Sequence, residues 1–303
     1  MKRRQFLKST GLSLVAASPL ARGAMDCYVQ RPTGAQLFTV REALKADPDL
    51  ALENLAATGV RDVELYGLTG APELFGLRPA MLRRMLDRHN LTMTCTHVSA
   101  DALDIPALAE NAHALGIETV VLALAPGFMQ SGPQGLRVEG PQNKAAMNEL
   151  AGLLDRLGVM LRREGLQFAY HNHHVEFFEV DGEIPYNYIM WNTDPQTVRC
   201  ELDIGWLALA GVDYLAVLDT FGNRTVACHL KDFDGKRPVD MGDVATVASH
   251  LVAPGQGVVN FAAVLERMDY YNIRHGFLEI DQPTDAFADL RNGVNHLQRL
   301  RPC

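Results

Sequence analysis

The sequence predicts a closed (β/α)₈ barrel. Short apolar runs typical of buried parallel strands alternate with segments whose apolar residues recur at the helical period of 3.6. Eight runs and eight helical segments in about 270 residues favour a closed barrel over an open, doubly wound sheet. The turn after the first run, at residues 39–42, also lacks the glycines that a dinucleotide-binding open sheet would need. We therefore expect a single α/β TIM barrel domain.

The predicted elements follow one another without a linker long enough to mark a second domain. The strands are predicted at residues 35–40, 62–66, 91–97, 118–124, 166–171, 198–204, 225–230 and 276–280. The helices are predicted at residues 48–58, 79–90, 105–115, 141–164, 185–192, 212–221, 261–271 and 285–300. Pro48 and Pro79 stand at first helical positions, where proline is favoured. Glycines mark four expected helix ends, at Gly59, Gly116, Gly165 and Gly222.

The first 24 residues predict an export signal. The segment KRRQFLK at residues 2–8 resembles the twin-arginine motif, and an apolar stretch at 11–17 and small residues around 21–24 follow it. The apolar stretch is shorter than the roughly 18 residues of a membrane-spanning helix. We expect a cleaved signal peptide at 1–24, a barrel domain at 25–303 and a periplasmic protein.

The charge of the chain argues against polyanionic partners. The formal net charge is −8, and removal of the first 24 residues leaves 23 basic against 36 acidic residues, or −13. A body this acidic repels phosphate backbones and anionic lipid, so we expect no nucleic-acid partner and no membrane partner beyond the export machinery. A small neutral or metal-bridged substrate fits better. The sequence is compatible with a homo-oligomer. Three of the five cysteines, Cys95, Cys200 and Cys228, fall in predicted strands, where we expect free structural thiols.

Titratable residues gather at the carboxyl ends of the predicted strands, where barrels of this class carry their active sites. They are Glu64, Tyr66, His97, His171, His173, Glu176, Asp203, His229, Lys231, Asp232, Glu279 and Asp281. Alternate residues of a strand share a face, as Glu201 and Asp203 do. One inward residue from each of four neighbouring strands would converge on an axial ion, and we select His171, Asp203, His229 and Glu279. Imidazole with carboxylate suits Mn²⁺, Zn²⁺, Co²⁺ or Fe²⁺ better than Ca²⁺.

The same residues carry a resemblance to a known family. The chain resembles the sugar phosphate isomerase/epimerase family of xylose-isomerase-like TIM barrels over essentially its whole length after the leader. The resemblance runs through QLFTVR at 36–41, VELYG at 63–67, HVS at 97–99, YHNH at 170–173, LDIGW at 202–206, HLKD at 229–232 and EID at 279–281. A glycine–aspartate pair of the family reads Gly257-Val258-Val259-Asn260 here, and we expect Asn260 to serve as a helix cap.

The resemblance implies a divalent ion bound by His171, Asp203, His229 and Glu279. Many relatives have glutamate at the strand-5 position, so Glu176 is the alternative to His171. The resemblance further implies removal of a proton beside a carbonyl of a metal-chelated sugar, through an enediolate. Glu176 is the candidate base and Lys231 the candidate electrostatic partner, with an ion pair to Asp232 as the other role for Lys231. The candidate substrate-binding residues are Glu64, His97, His173 and Asp232.

Several functions stay open at this stage. The enediolate can lead to an isomerase, an epimerase, or a dehydratase or lyase acting on a ketosugar or 3-ketoglycoside. No glycine-rich anion loop or basic cluster lies at a strand end, so we expect an unphosphorylated carbohydrate. A phosphodiesterase resembling endonuclease-IV-like enzymes would need a basic groove, which the charge of −13 disfavours. A sugar-binding barrel without turnover is the remaining alternative.

Overall fold

The computed structural model describes residues 33–100, 103–133 and 135–300, which form a closed barrel of eight parallel strands. The barrel strands are β1 Gly34–Gln36, β2 Asp62–Tyr66, β3 Thr92–Ser99, β4 Thr119–Leu124, β5 Gln167–His171, β6 Arg199–Asp203, β7 Thr225–Leu230 and β8 His275–Leu278. Each strand pairs with the next, and β8 pairs with β1 to close the barrel. The predicted fold is confirmed. The predicted signal peptide lies outside the described residues.

Eleven α-helices lie in the described part of the chain. They are α1 Arg41–Ala46, α2 Pro48–Ala57, α3 Pro79–Arg88, α4 Ile105–Leu115, α5 Lys144–Arg163, α6 Pro185–Trp191, α7 Ile204–Ala210, α8 Tyr214–Phe221, α9 Val244–Ser249, α10 Phe261–Tyr270 and α11 Ala286–Arg299. The local chemistry explains their ends: Asp104 accepts the Ala107 N–H at the start of α4, and Gly116 ends that helix in the left-handed conformation at φ +81°. Asn260 caps α10, as predicted.

The glycine after α8 has a different reason from the one predicted. Gly222 has φ −55° and begins a 3₁₀ turn, Gly222–Arg224, so no left-handed conformation is needed there. A Cβ atom at this position would lie 2.3 Å from the ring of Tyr271. Close packing between α8 and the end of α10 therefore requires glycine at residue 222.

The first strand is shorter than predicted. It ends at Gln36, and the chain continues as a 3₁₀ turn at Leu37–Val40 and then as α1. The Gln36 side chain accepts the Phe38 N–H at 3.1 Å, which turns the backbone out of the strand. The Thr39 hydroxyl accepts the Ile280 N–H at 3.0 Å and so ties this turn to the segment after β8.

Two small sheets above the barrel were not predicted. The hairpin, Met129–Gly132 with Gly135–Val138, follows β4, and a two-stranded ribbon pairs Asp232–Phe233 with Leu251–Val252. Most residues of the hairpin are exposed. The first arm of the hairpin, Met129–Gly132, has one apolar residue, so no alternation of apolar and polar residues predicts a strand there.

The apolar core has two parts. The larger part fills the space between strands and helices, and a small cluster of Cys95, Ala227 and Phe277 lies inside the barrel. Cys95, Cys200 and Cys228 are buried thiols, as expected. Within the described residues, no helix combines the length and the hydropathy that a bilayer crossing requires.

Candidate functional site

A cavity of about 640 Å³ opens at the carboxyl ends of the barrel strands. Strand ends contribute polar side chains to it, among them His97, His171, Lys231 and Glu279. The surrounding loops contribute mostly apolar side chains. The cavity thus lies where the fold class predicts an active site.

His229, at the end of β7, is the centre of a buried polar cluster beneath the cavity. Its Nδ1 lies 2.8 Å from Glu279 Oε2, and its Nε2 lies 2.6 Å from Glu64 Oε2. Burial alone would lower the pKa of His229, but the carboxylates of Glu201 and Glu64 raise it well above the usual value. Both ring nitrogens are therefore directed at carboxylate oxygens.

Three of the four predicted metal ligands form one group. Asp203, His229 and Glu279 bring ligand atoms within 4.8 Å of one another. Asp203 has two tasks: its Oδ1 accepts the Trp206 N–H at 3.0 Å and caps α7, while its Oδ2 is buried and accepts no hydrogen bond. Burial raises the pKa of Asp203 to about 6. A buried carboxylate oxygen without a donor is suited to a cation.

The fourth predicted ligand lies between this group and a second one. His171 Nδ1 is 2.9 Å from Glu201 Oε2, and its Nε2 is 3.7 Å from Asp203 Oδ2. Glu201 Oε2 is also 2.7 Å from His97 Nε2, so that His97, His171, Glu201 and His229 form the second group of close ligand atoms. Glu201 was not selected from the sequence, although it shares the inward face of β6 with Asp203.

Lys231 lies among three carboxylates at the cavity wall. Its ammonium nitrogen is 3.3 Å from Asp203 Oδ2, 3.0 Å from Glu279 Oε2 and 2.9 Å from Asp281 Oδ2. Burial alone would lower the pKa of Lys231, but these carboxylates raise it well above the usual value, so the side chain stays charged. The ammonium also lies 5.1 Å from the centre of the Trp206 ring.

Asp232 is not the partner of Lys231 and does not line the cavity. It is fully buried. Its two carboxylate oxygens accept four backbone N–H groups, those of Phe233, Gly255, Gly257 and Val259, each at 2.9 Å. As the residue after Lys231, it points to the opposite side of the chain. The structure therefore gives Asp232 the role of holding the loop at 255–259, and it does not bring this predicted substrate-binding residue to the cavity.

Glu176 is likewise kept away from the cavity. It lies in a 3₁₀ turn, Val175–Phe177, where it accepts the Tyr170 hydroxyl at 2.8 Å and the His173 N–H at 3.2 Å. Tyr170 points away from the barrel axis because His171, its neighbour in β5, points toward it. Burial raises the pKa of Glu176 to about 7. The structure does not bring the predicted base, or the predicted alternative ligand, to the cavity.

Two other predicted substrate-binding residues lie at different depths. His97 lines the cavity and stacks on His229, with ring centres 5.0 Å apart and planes within 7°. Burial acts to lower the pKa of His97, but Glu64 and Glu201 raise it above the usual value. Glu64 is fully buried, and its Oε2 lies 3.2 Å from His97 Nε2. Burial, followed by repulsion from Glu201, raises the pKa of Glu64 to about 7.

His173 is the imidazole of the cavity wall that is not part of either ligand group. Its ring centre lies 5.1 Å from that of His171 and 5.2 Å from that of Trp206. Burial, together with the charges of His171 and Lys231, lowers the pKa of His173 well below the usual value. The ring is therefore neutral at neutral pH, with one ring nitrogen unprotonated.

The donor set fits a divalent transition-metal ion. Imidazole nitrogen and carboxylate oxygen together are the ligands of Zn²⁺, Mn²⁺, Co²⁺ and Fe²⁺ sites. Asp203, His229 and Glu279 could hold such an ion, with His171 Nε2 as the nearest further nitrogen to Asp203. The observation in favour of this fit is Asp203 Oδ2, a buried oxygen that accepts no hydrogen bond and lies 3.3 Å from the Lys231 ammonium.

Comparison with protein families and known proteins agrees with the observed fold. The model of the xylose isomerase-like TIM barrel matches residues 52–300. An inosose dehydratase of Lacticaseibacillus casei is 26% identical over 247 residues, which cover 72% of this chain and 79% of that protein.

Solved structures share the fold. A sugar phosphate isomerase/epimerase from Parabacteroides distasonis superimposes with a TM-score of 0.71 and 20% identity, over 88% of this chain and 93% of that one. The IOLI protein, solved with a bound zinc atom, has a TM-score of 0.66 and 16% identity, over 89% of this chain and 97% of that one.

Proposed function

The chain belongs to the xylose isomerase-like TIM barrel family, and on that premise we propose that it is a divalent-metal-dependent enzyme that removes a proton beside a carbonyl of an unphosphorylated carbohydrate. The observation that carries this proposal is one cavity that joins three kinds of group. These are the ligand group, of which Glu279 lines the cavity while Asp203 and His229 are buried beneath it, the neutral imidazole of His173 and the charged ammonium of Lys231.

Each group has a part in such a reaction. A bound divalent ion would supply chelation and polarisation of a sugar carbonyl and its neighbouring hydroxyl. His173 accepts the proton from the carbon next to the carbonyl, because its burial keeps the ring neutral. Lys231 holds a positive charge beside the oxygen on which negative charge develops. His173 replaces Glu176 as the candidate base because it lines the cavity.

Dehydration is the second candidate outcome. The Lacticaseibacillus casei relative is named an inosose dehydratase, and a dehydratase needs an acid as well as a base. His97 fits the acid, since nearby carboxylates raise its pKa and its ring lies 4.9 Å from that of His171, which also contacts His173. After His173 takes the proton from carbon, His97 would protonate the hydroxyl that leaves as water from the next carbon, and a C=C bond forms between the two.

An unphosphorylated substrate agrees with the charge around the cavity. Lys231 is already surrounded by three carboxylates. Apart from His97, the described residues that line the cavity include one further cation, Arg41, whose guanidinium donates to the Phe38 carbonyl oxygen at 2.9 Å and lies 4.2 Å from the centre of the Phe38 ring. The buried carboxylates of Glu64 and Glu201 below the cavity oppose a second negative group.

The test is hydrogen exchange in deuterated water. Metal-loaded protein is incubated with inososes, free ketosugars and their phosphate esters, and exchange and water loss are followed by NMR. We expect exchange at one carbon of an unphosphorylated compound, lowered about 10²- to 10⁴-fold in His173→Gln with unchanged metal content. His174→Gln is the matched control, since His174 lies outside the cavity wall and its Nε2 contacts the Met241 carbonyl oxygen.

Two results would contradict the proposal. One is exchange only with phosphate esters, which would rule out an unphosphorylated substrate. The other is equal exchange in His173→Gln and the unaltered protein, which would assign the proton to another group. Loss of water together with exchange would select the dehydratase.

Export is a separate part of the proposal. The resemblance of residues 2–8 to the twin-arginine motif supports a periplasmic protein with a cleaved leader. Replacement of Arg3 and Arg4 by lysine should leave the chain in the cytoplasmic fraction at its full, uncleaved mass. An unchanged periplasmic fraction would contradict this route.

A further inference from the structure

The cavity is larger than one sugar ring requires. A volume of about 640 Å³ falls within the roughly 300–1,000 Å³ of sites that enclose drug-sized ligands. A sugar held at the ligand group and at His173 occupies only the part of the cavity next to the strand ends. The part next to the loops is left for another portion of the ligand.

The two parts of the cavity differ in chemistry. Polar side chains of the strand ends surround the inner part. We name the outer part the outer chamber. Its apolar lining consists of Phe38, Met129, Leu136, Val138, Val244 and Val247, and Tyr66 at the end of β2 adjoins it. A free sugar has a hydroxyl group on most of its carbons, and burying these groups against such a lining without hydrogen bonds would cost free energy.

The hairpin presents one apolar face to this chamber. Met129 pairs across the hairpin with Val138, and Leu136 lies two residues before Val138, so all three share a face. Met129 is 41% exposed and Leu136 is 43% exposed, although both line the cavity. Exposed large apolar side chains on a concave wall are a feature of ligand sites, because an apolar ligand group would remove them from water.

The hairpin is fixed in place from its other face. Arg137 binds Asp240 through two nitrogens at 2.8 and 3.0 Å, and the Val138 N–H donates to the Gly242 carbonyl oxygen at 2.9 Å. These contacts hold the chamber wall against the loop before α9. The apolar face is therefore a formed part of the cavity.

We infer that the outer chamber binds an apolar, ring-containing substituent of the sugar, so that the substrate is a glycoside with an aromatic or similarly apolar aglycone rather than a free monosaccharide. This inference rests on the proposed function, since the sugar is held at the ligand group. Phe38 and Tyr66 offer aromatic rings 5.5 Å apart in an edge-to-face arrangement, and Met129 offers an adaptable side chain.

Calorimetric binding of matched glycosides tests the inference without turnover. The probes are the phenyl and methyl glycosides of glucose, galactose and mannose, added to metal-loaded protein. We expect at least one phenyl glycoside to bind about tenfold or more tightly than its methyl counterpart. In the double variant Met129→Ser, Leu136→Ser this preference should fall to about twofold to threefold, with methyl glycoside affinity unchanged.

The matched control replaces two exposed apolar residues outside the cavity with serine. Val159 and Met160 of α5 are 41% and 43% exposed and do not line the cavity, so Val159→Ser, Met160→Ser should keep the preference. Equal binding of phenyl and methyl glycosides, a preference unaltered by the hairpin variant, or no binding of any phenyl glycoside overturns the inference. Asp203→Ala separates it from the proposed function. If the phenyl preference exists but Asp203→Ala weakens neither glycoside, the proposed sugar site fails and the apolar chamber stands.

Discussion

Both ends of the barrel interior contain buried carboxylate and histidine side chains, but the hydrogen bonding of these side chains differs between the ends. At the amino end, the buried Asp62 accepts His275 Nδ1 at 2.8 Å and the Thr94 hydroxyl at 2.9 Å, and the Thr92 hydroxyl lies 3.2 Å away. At the carboxyl end, one buried oxygen each of Glu64, Glu201 and Asp203 accepts no hydrogen bond, and that of Asp203 lies 3.3 Å from the Lys231 ammonium. The apolar cluster of Cys95, Ala227 and Phe277 lies inside the same barrel.

The difference shows which end serves folding and which end is left for a ligand. A polar cluster whose members satisfy one another stabilises the fold by itself. A cluster with unpaired buried carboxylate oxygens costs stability until a cation or substrate completes it. We therefore assign a structural role to the amino end and a binding role to the carboxyl end, and the variants below test that division.

The largest effect is expected for Lys231→Met. The change leaves Asp203, Glu279 and Asp281 without their shared cation, and removal of one partner from a buried ion cluster costs about 3–5 kcal/mol. Urea unfolding measures this loss, and exchange in deuterated water should fall below detection. Lys236→Met is the control: its side chain is 79% exposed beside Asp234, so both quantities should stay unchanged. Unaltered exchange in Lys231→Met would contradict the role given to this residue.

A smaller effect, on stability alone, is expected for Asp62→Asn. The variant should lower the free energy of unfolding by about 1–2 kcal/mol, the range for a hydrogen bond to a charged group, with metal content and exchange unchanged. Burial acts to lower the pKa of His275, but Asp62 raises it above the usual value of 6.5. The stabilisation is therefore complete below pH 6.5 and is lost as the pH rises through the folded-state pKa.

The pH dependence is the control within this experiment. In Asp62→Asn, the part of the stability that disappears above pH 6.5 should be absent, so the curves of the variant and the unaltered protein should approach each other at high pH. Loss of metal in Asp62→Asn would contradict the division between the two ends.

The smallest loss of stability is expected for Glu176→Gln, which places Glu176 with the structural residues. Burial raises the pKa of Glu176 from 4.5 to about 7, so the folded state favours the protonated form, and stability from this group falls as the pH rises from 4.5 through 7. The glutamine should therefore lose no stability at pH 4 and be more stable at pH 8 by up to about 3 kcal/mol. Thermal unfolding at both values measures this. A large fall in hydrogen exchange would instead indicate that Glu176 takes part in the reaction.

Much of the fold could be predicted because its signals are local. The helix at 105–115 has its cap, its proline and its terminal glycine in the sequence, and it was predicted with its observed bounds. The helix at Ile204–Ala210 was missed, because Ile204 continues the apolar run of β6 and the cap is Asp203, which was assigned to the metal instead. Tertiary packing, which the sequence does not display, decides where that strand ends.

The sequence could predict which strand residues point inward, but not how deeply each side chain lies in the site. Strand parity placed Asp203, His229 and Lys231 on the inner face, and the structure agrees. Parity could also have excluded Asp232, the neighbour of Lys231. It could not choose between inward residues of one strand, and it does not apply to Glu176, which lies in a 3₁₀ turn whose side chains follow local hydrogen bonds.

The metal content of paired variants tests most directly the division between a structural amino end and a ligand-binding carboxyl end of the barrel. Elemental analysis of the purified protein after dialysis against manganese or zinc should give about one ion per chain for the unaltered protein and for Asp62→Asn, and close to none for Asp203→Ala and Glu279→Ala. Circular dichroism verifies that each variant keeps the barrel. Full metal content in both Asp203→Ala and Glu279→Ala would contradict the account, as would two ions per chain in the unaltered protein.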